Sequence, residues 1–286
     1  MINHKSIPHS ISANGKLLPL DSCKVMGIIN TTPDSFYAES RNFLLEKAQK
    51  EILQMIEDGV DIIDIGGMST RPKSLPIPED VEWERIKDIL VWCRKEFPQL
   101  FISIDTYRAA IARKAIEAGA DIINDISAGT LDPAMISLLA DCQLPYIAMH
   151  MQGTPENMQD NPQYKQVGLD ILDYFIQKKI LLNEAGVHQL IIDPGFGFGK
   201  TIEQNYSLLH HLNDFQILEL PILVGLSRKG MIWKTLNTNP EDALYGTIAA
   251  KTIAILKGAN IVRVHDVKAA KDAIKIIQQF ETSKSI

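Results

Sequence analysis

The chain has 286 residues, a size that suits one large α/β barrel or two small domains. Its 45% hydrophobic content supports a sizeable core, and a net charge of −6 argues against general nucleic-acid binding, leaving any anion recognition to local groups. The three cysteines, Cys23, Cys93 and Cys142, lack metal spacing and read as reduced cytosolic thiols, the first ten residues lack a signal-peptide core, and no apolar run approaches the ~20 residues of a membrane span.

Residues 11–22, ISANGKLLPLDS, read as a β-hairpin, because Asn-Gly is the turn pair that accepts two positive φ angles. Strand-like runs follow at 24–30, 61–67, 101–106, 121–126, 146–151, 190–195, 221–227 and 261–267. Between them lie segments such as LLEKAQKEILQMIEDG and EWERIKDILVWCRKEF, with apolar residues at helical spacing. About eight βα units is the number that closes a parallel barrel, so the chain is read as a single (β/α)8 domain over 1–286, with residues 1–23 as an N-terminal hairpin segment.

An internal repeat supports that count. EDGVDIIDIGG, EAGADIINDIS, EAGVHQLIIDP and LKGANIVRVHD each pair a helix-ending glycine with a buried strand. Gly59, Gly119, Gly186 and Gly258 are 60, 67 and 72 residues apart, and each interval holds two βα units of roughly 30 residues, so these are alternate strands. Five residues after each glycine stand Asp64, Asn124, Ile191 and Arg263, and seven after stand Gly66, Ile126, Asp193 and His265. Side chains alternate along a strand, so both offsets share one face, directed into the barrel.

The stretch LIIDPGFGFGKT (190–201) sets a lone carboxylate, Asp193, beside a thin glycine-rich backbone that a flat ligand could approach. It is neither a P-loop, whose first glycine would fall on Pro194, nor a dinucleotide fingerprint, whose third glycine would fall on Lys200. Function in such a barrel sits at the C-terminal ends of the strands, and the polar residues there are Asn30, Asp105, Asn124, Asp193, Lys229, Arg263 and His265. Two acids and an amide suit a heterocycle that presents ring N–H and amino donors, while Arg263 and His265 suit a phosphate oxygen. Asn30 could reach the same anion or its Mg²⁺ ion, a hard cation that prefers oxygen. Asp64 reads as a brace for the following loop, Lys200 as a loop cap or a solvent-exposed residue, and Met149 and Met151 as pocket wall or core.

The motifs VMGIINTTPDSF (25–36), DIIDIGGMSTRP (61–72), SIDTYRAAIARKAIEAGADIINDISA (103–128), MHMQGTPENMQ (149–159), IIDPGFGFGKTIEQN (191–205), GLSRKGMI (225–232) and RVHDV (263–267), taken in order, closely resemble the dihydropteroate synthase family. The resemblance implies a TIM barrel that condenses a hydroxymethyl-dihydropterin diphosphate with 4-aminobenzoate, releasing diphosphate in the synthesis of folate, and that is the target of sulfonamides. It implies that Asp105, Asn124, Asp193 and Lys229 hold the pterin, with Phe198 lining its pocket. Asn30, Arg263 and His265 would hold the diphosphate, with Asn30 on its magnesium. Phe36, Thr70, Arg71, Pro72 and Ser227 would shape the 4-aminobenzoate site, and Lys229, Arg263, His265 and Asn30 would act in the chemistry. It further implies small-molecule substrates, no membrane or nucleic-acid partner, a cytoplasmic enzyme and a homodimer. The chain departs from the family at Tyr37–Ser40, where glycines are usual, at Met68 in place of Glu, and at Lys73 in place of Gly. A methyltetrahydrofolate methyltransferase on the same barrel and a pterin-binding paralogue without turnover are the alternatives; diphosphate release separates them.

Overall fold

A computed structural model describes residues 10–31, 41–70 and 73–283. The hairpin forms where Asn-Gly directs it. Strands β1 (Ser10–Ala13) and β2 (Lys16–Pro19) pair antiparallel around Asn14 and Gly15, at φ 51° and 75°. Both central residues at positive φ give the turn whose twist matches that of its strands.

Eight parallel strands follow: β3 (Lys24–Asn30), β4 (Ile62–Gly66), β5 (Phe101–Asp105), β6 (Ile122–Asp125), β7 (Tyr146–Met149), β8 (Leu190–Asp193), β9 (Leu223–Val224) and β10 (Ile261–Val264). Their order around the sheet is β8-β7-β6-β5-β4-β3-β10-β9, and a parallel bridge between Ile192 and Ile222 joins the two ends into a barrel. Helices α1 (Arg41–Glu57), α2 (Glu79–Glu96), α3 (Ala109–Glu117), α4 (Ala134–Cys142), α5 (Val167–Glu184), α6 (Ile202–His210), α7 (Gly230–Thr235), α8 (Leu244–Leu256) and α9 (Val267–Thr282) alternate with the strands, and a 3-10 helix covers Leu212–Leu218. The four repeat glycines lie just beyond helix ends and before β4, β6, β8 and β10, which are alternate barrel positions. No helix among the described residues is long and apolar enough to cross a membrane.

The strand expected at 221–227 is shorter than the sequence suggests. Pro221 has no N–H for the ladder, and after Val224 the backbone leaves the sheet to reach Arg228, which adopts a left-handed φ of 54°. What reads as a strand end is therefore the loop that carries Ser227 and Lys229.

Two apolar layers position the site. Inside the barrel, Met26, Ile62, Phe101, Ile122, Ile147, Ile191, Leu223 and Ile261 form one cluster, with Ile11, Ala13 and Leu20 of the hairpin segment packed onto it. The hairpin thus plugs the N-terminal end of the barrel. The outward faces of the strands pack on the helices in a second, larger cluster. The apolar filling occupies the lower interior, and polar residues begin one step higher on β4, β5, β6, β8 and β10, at Asp64, Ser103, Asn124, Asp193 and Arg263.

Candidate active site

Asn30, Gly66, Asp105 and Asn124 are ladder partners in one row across β3, β4, β5 and β6. Gly66 leaves that row open, because a Cβ there would come within 3.4 Å of the Asp105 Cβ. Asp105 and Asn124 are buried and Asn30 is exposed at the rim. One step down, Asp64 on β4 is fully buried.

Arg263 rises from β10 into this ring. Its Nε donates to Asp64 Oδ2 at 2.6 Å and its Nη2 to Asp105 Oδ2 at 2.7 Å. Asn124 Nδ2 donates to the same Asp64 oxygen at 3.1 Å. Asp64 therefore aligns two of the expected site residues. It fixes the Asn124 amide so that the carbonyl oxygen remains as an acceptor. The expectation that Asp64 braces the following loop is not met. Other groups do that work: Arg85 donates to Gly67 O at 2.9 Å and Arg108 Nη2 to Ile77 O at 2.6 Å. The signal for Asp64 was present in the sequence, since it shares the five-residue offset of Asn124 and Arg263.

Burial is the strongest influence on Asp105 and raises its carboxyl to about 7, with the Arg263 charge opposing and the Asp64 charge reinforcing the rise. For Arg263, burial works against the charge, but Asp64, Asp105 and Asp193 outweigh it and hold the guanidinium above its ordinary value. Asp64 Oδ1 and Ser103 Oγ, on residues that are ladder partners, are buried without a hydrogen-bond partner among the described residues. Leaving such atoms bare is costly, so the floor of the site retains unused polar capacity.

Asp193 ends β8, and its Oδ1 accepts from the Gly195 N–H at 2.8 Å. A Cβ on Gly195, at φ 72°, would fall 1.9 Å from His150 O, so no side chain fits there. Lys200 fastens the loop from inside. It is 2% exposed, and its Nζ donates to Gly195 O at 2.8 Å and Phe198 O at 3.0 Å and lies 3.1 Å from His150 Nδ1. Of the two readings of Lys200, the loop cap holds and the solvent-exposed one does not. Burial lowers Lys200 to about 7 and pushes His150 well below its usual value.

Lys229, the residue before α7, places its Nζ 4.2 Å from the centre of the Phe198 ring. Burial lowers it to about 8, with the Asp193 charge opposing. His265 is exposed at the rim, and both its N–H, at 3.2 Å, and its Nδ1, at 3.0 Å, meet Ser227 Oγ. Ser227 thus bonds to His265 through both its backbone and its ring. Met149 is buried and Met151 half-buried.

Phe36, Arg71 and Pro72, like the departure at Tyr37–Ser40, lie outside the described residues. Thr70 is half-buried. Met68 is buried, its Sδ 3.8 Å from the Tyr107 hydroxyl, so a thioether occupies a place where the family usually has a carboxylate. Lys73 takes φ 64° and donates its N–H to Pro155 O at 2.9 Å, keeping the backbone form of the glycine it replaces. Among the described residues no group of three or more His, Cys, Asp or Glu could hold a metal ion.

Asn30 and His265 at the rim, above a floor of carboxylates and an amide at the C-terminal face of a (β/α)8 barrel, suit the pterin-binding enzymes, and the profile of that class matches residues 26–265. A dihydropteroate synthase of Escherichia coli is 40% identical over 274 residues, 95% of this chain and 96% of that protein. The Yersinia pestis dihydropteroate synthase, solved in a sulfonamide complex, superposes with a TM-score of 0.90 at 38% identity, covering 96% of this chain and all of that one. The Xanthomonas albilineans dihydropteroate synthase, solved with 4-aminobenzoic acid, gives 0.89 at 35% identity, covering 96% and 99%. The chain belongs to the dihydropteroate synthase family. Its reaction is transfer of a pterin-methyl group to 4-aminobenzoate with release of diphosphate.

The two perturbed groups fix a pH dependence. On the reading that Asp105 accepts from the substrate and Lys229 donates to it, Asp105 must be ionised, which fails as pH falls through about 7, and Lys229 protonated, which fails as pH rises through about 8. The kcat/KM for the pterin diphosphate is expected to peak between these values. In Asp105→Asn the activity that remains should lack the acid limb. An acid limb preserved in that variant would assign it to another group.

Proposed function

We propose that the pterin lies on the floor formed by Asp105, Asn124 and Asp193, with the diphosphate toward His265 and Asn30. The observation that carries this reading is that each acceptor keeps one oxygen for a ligand. Asp105 Oδ2 is engaged by Arg263 and Asp193 Oδ1 by Gly195, while the Asn124 amide is turned by Asp64. Two carboxylates and an amide oxygen match the ring N–H and amino donors of a pterin. Lys229 supplies a donor on the same side as Phe198, whose ring forms a wall.

Arg263 has Nε and Nη2 engaged by carboxylates, which leaves Nη1 for an anion. We read it as shared between the pterin floor and the diphosphate. Lys229 adds positive charge and His265 a ring donor where the leaving group departs, and no nucleophilic side chain is required. A weak arylamine then attacks a methylene carbon whose charge the pterin ring spreads.

The residues fit a magnesium ion in one way. Asn30 offers a single rim oxygen, which suits an ion that keeps its waters and takes its other ligands from substrate phosphates. Such an ion would neutralise charge on the leaving diphosphate. The 4-aminobenzoate would lie above Lys229, toward Thr70 and the loops that carry Phe36, Arg71 and Pro72. We further read the chain as one domain of barrel and hairpin, and as a cytoplasmic enzyme whose three cysteines are free thiols. A homodimer through the outer helices is supported by Tyr245, Ile253 and Leu256 of α8 and Ile276 of α9, exposed by 83%, 45%, 51% and 72%.

Asp193→Asn tests the pterin reading. The variant keeps the shape but presents a donor to a donor, a mismatch of roughly 1–3 kcal/mol. Calorimetric affinity for the pterin diphosphate should fall at least several-fold; an unchanged dissociation constant would remove Asp193 from the site.

A further inference from the structure

Arg228 stands in sequence between two groups of the site, yet its guanidinium is engaged elsewhere. Its Nη2 donates to Asp266 Oδ1 at 2.9 Å and its Nε to Asp266 Oδ2 at 3.2 Å, a two-pronged pairing that fixes orientation as well as distance. Its Nη1 reaches Glu241 O at 3.3 Å. Its backbone is at φ 54°, a conformation that a residue with a Cβ adopts only when its surroundings hold it there. Part of that hold is the Arg228 N–H, which donates at 3.1 Å to the hydroxyl of Thr247, a fully buried residue of α8.

Asp266 is equally displaced from its ordinary task. It occupies the position before α9, where a carboxylate commonly accepts from the first backbone N–H groups, but it makes no such bond. Its oxygens go to Arg228 instead. One residue back on each side, Ser227 Oγ meets the N–H and the Nδ1 of His265. Two successive pairs, 227 with 265 and 228 with 266, therefore tie the loop after β9 to the loop after β10, side by side.

We propose that Arg228 and Asp266 are a positioning pair for the anion end of the site. They hold the two loops at the spacing at which Ser227 orients the His265 imidazole. Neither touches substrate, and their effect passes through Ser227 and His265. The inference rests on the reading that His265 takes the diphosphate. A half-buried ion pair at the rim contributes little as a mere surface contact, so its consequence is sought in ligand affinity.

The test is calorimetric titration of Mg²⁺-diphosphate and, separately, of a pterin without phosphate. The proteins are the wild type, His265→Ala, Arg228→Met, Asp266→Asn and the double variant Arg228→Met/Asp266→Asn. Each single clamp variant is expected to weaken diphosphate by about fivefold or more, while pterin binding moves by less than about twofold and the double variant is no weaker than the worse single one. Wild-type diphosphate affinity in both clamp variants, with His265→Ala weakened, would overturn the pair and leave the role of His265 standing. Wild-type affinity in His265→Ala would instead remove the reading beneath it, and the proposal with it. Losses that multiply in the double variant, or equal losses for pterin and diphosphate, would also overturn the pair, because they indicate separate roles or general loosening.

Discussion

Replacing Arg263 with alanine is expected to lower kcat/KM for the pterin diphosphate by about a hundredfold or more. The guanidinium is the counter-charge to two carboxylates at once, at 2.6 Å from Asp64 and 2.7 Å from Asp105. Asp64 is fully buried and one of its oxygens already lacks a partner among the described residues. Removing one member of a buried charge pair costs roughly 3–5 kcal/mol, because the other charge stays behind, and that is about two to three and a half decades in an equilibrium. The protein would respond by protonating. Asp105 already stands at about 7 with Arg263 opposing the rise, so without Arg263 it should go higher and be neutral at physiological pH. On the proposed reading, a neutral Asp105 is a poorer acceptor for the pterin. The prediction therefore has two readouts, a loss of kcat/KM and an acid limb moved to higher pH. Arg263→Lys should fall between wild type and alanine, since an ammonium keeps the charge but lacks the fork that reaches both carboxylates. A large loss of activity with an unmoved acid limb would mean that Arg263 serves the anion alone.

This coupling explains which parts of the site were legible in the sequence. The barrel was legible because its signals are local: apolar runs, helical spacing between them, and a glycine before every second strand. Alternation along a strand then predicted that Asn124, Asp193, Arg263 and His265 point inward, and the structure brings Asn124 to Arg263 through Asp64. Asp64 itself was misread because its neighbours Ile65, Gly66 and Gly67 suggest a loop, while its partners are 60 and 199 residues away. Lys200 is similar. The spacing G-F-G-K shows that a loop is present, but the contact that draws the lysine inside is with His150, 50 residues earlier. Ser227 was expected beside 4-aminobenzoate, and its bond to His265 lies 38 residues along the chain. Pairing across the barrel depends on register and shear, which no local pattern encodes.

The opposite end of the barrel should answer to mutation in a different way. Asp121 is fully buried just before β6, and it accepts from Lys16 Nζ at 2.7 Å, Asn14 Nδ2 at 3.0 Å, the Ile102 N–H at 2.9 Å and Arg94 Nη2. One carboxylate thus ties the hairpin turn, the end of α2 and the start of β5 together beneath the apolar filling. Lys16 is part-buried, and its burial lowers it below the ordinary lysine value despite the Asp121 charge. Asp121→Ala would leave Lys16 and Arg94 facing an empty acceptor, and is expected to destabilise the protein by roughly 3–5 kcal/mol. In a fold of this kind, that end serves stability and the C-terminal end of the strands serves chemistry. The measurement is a denaturation midpoint together with kcat/KM determined well below the unfolding temperature. The midpoint should fall sharply while kcat/KM per folded molecule stays near wild type. A variant that unfolds normally but turns over poorly would show that the hairpin plug reaches the site through the barrel interior, and that the two ends are not independent.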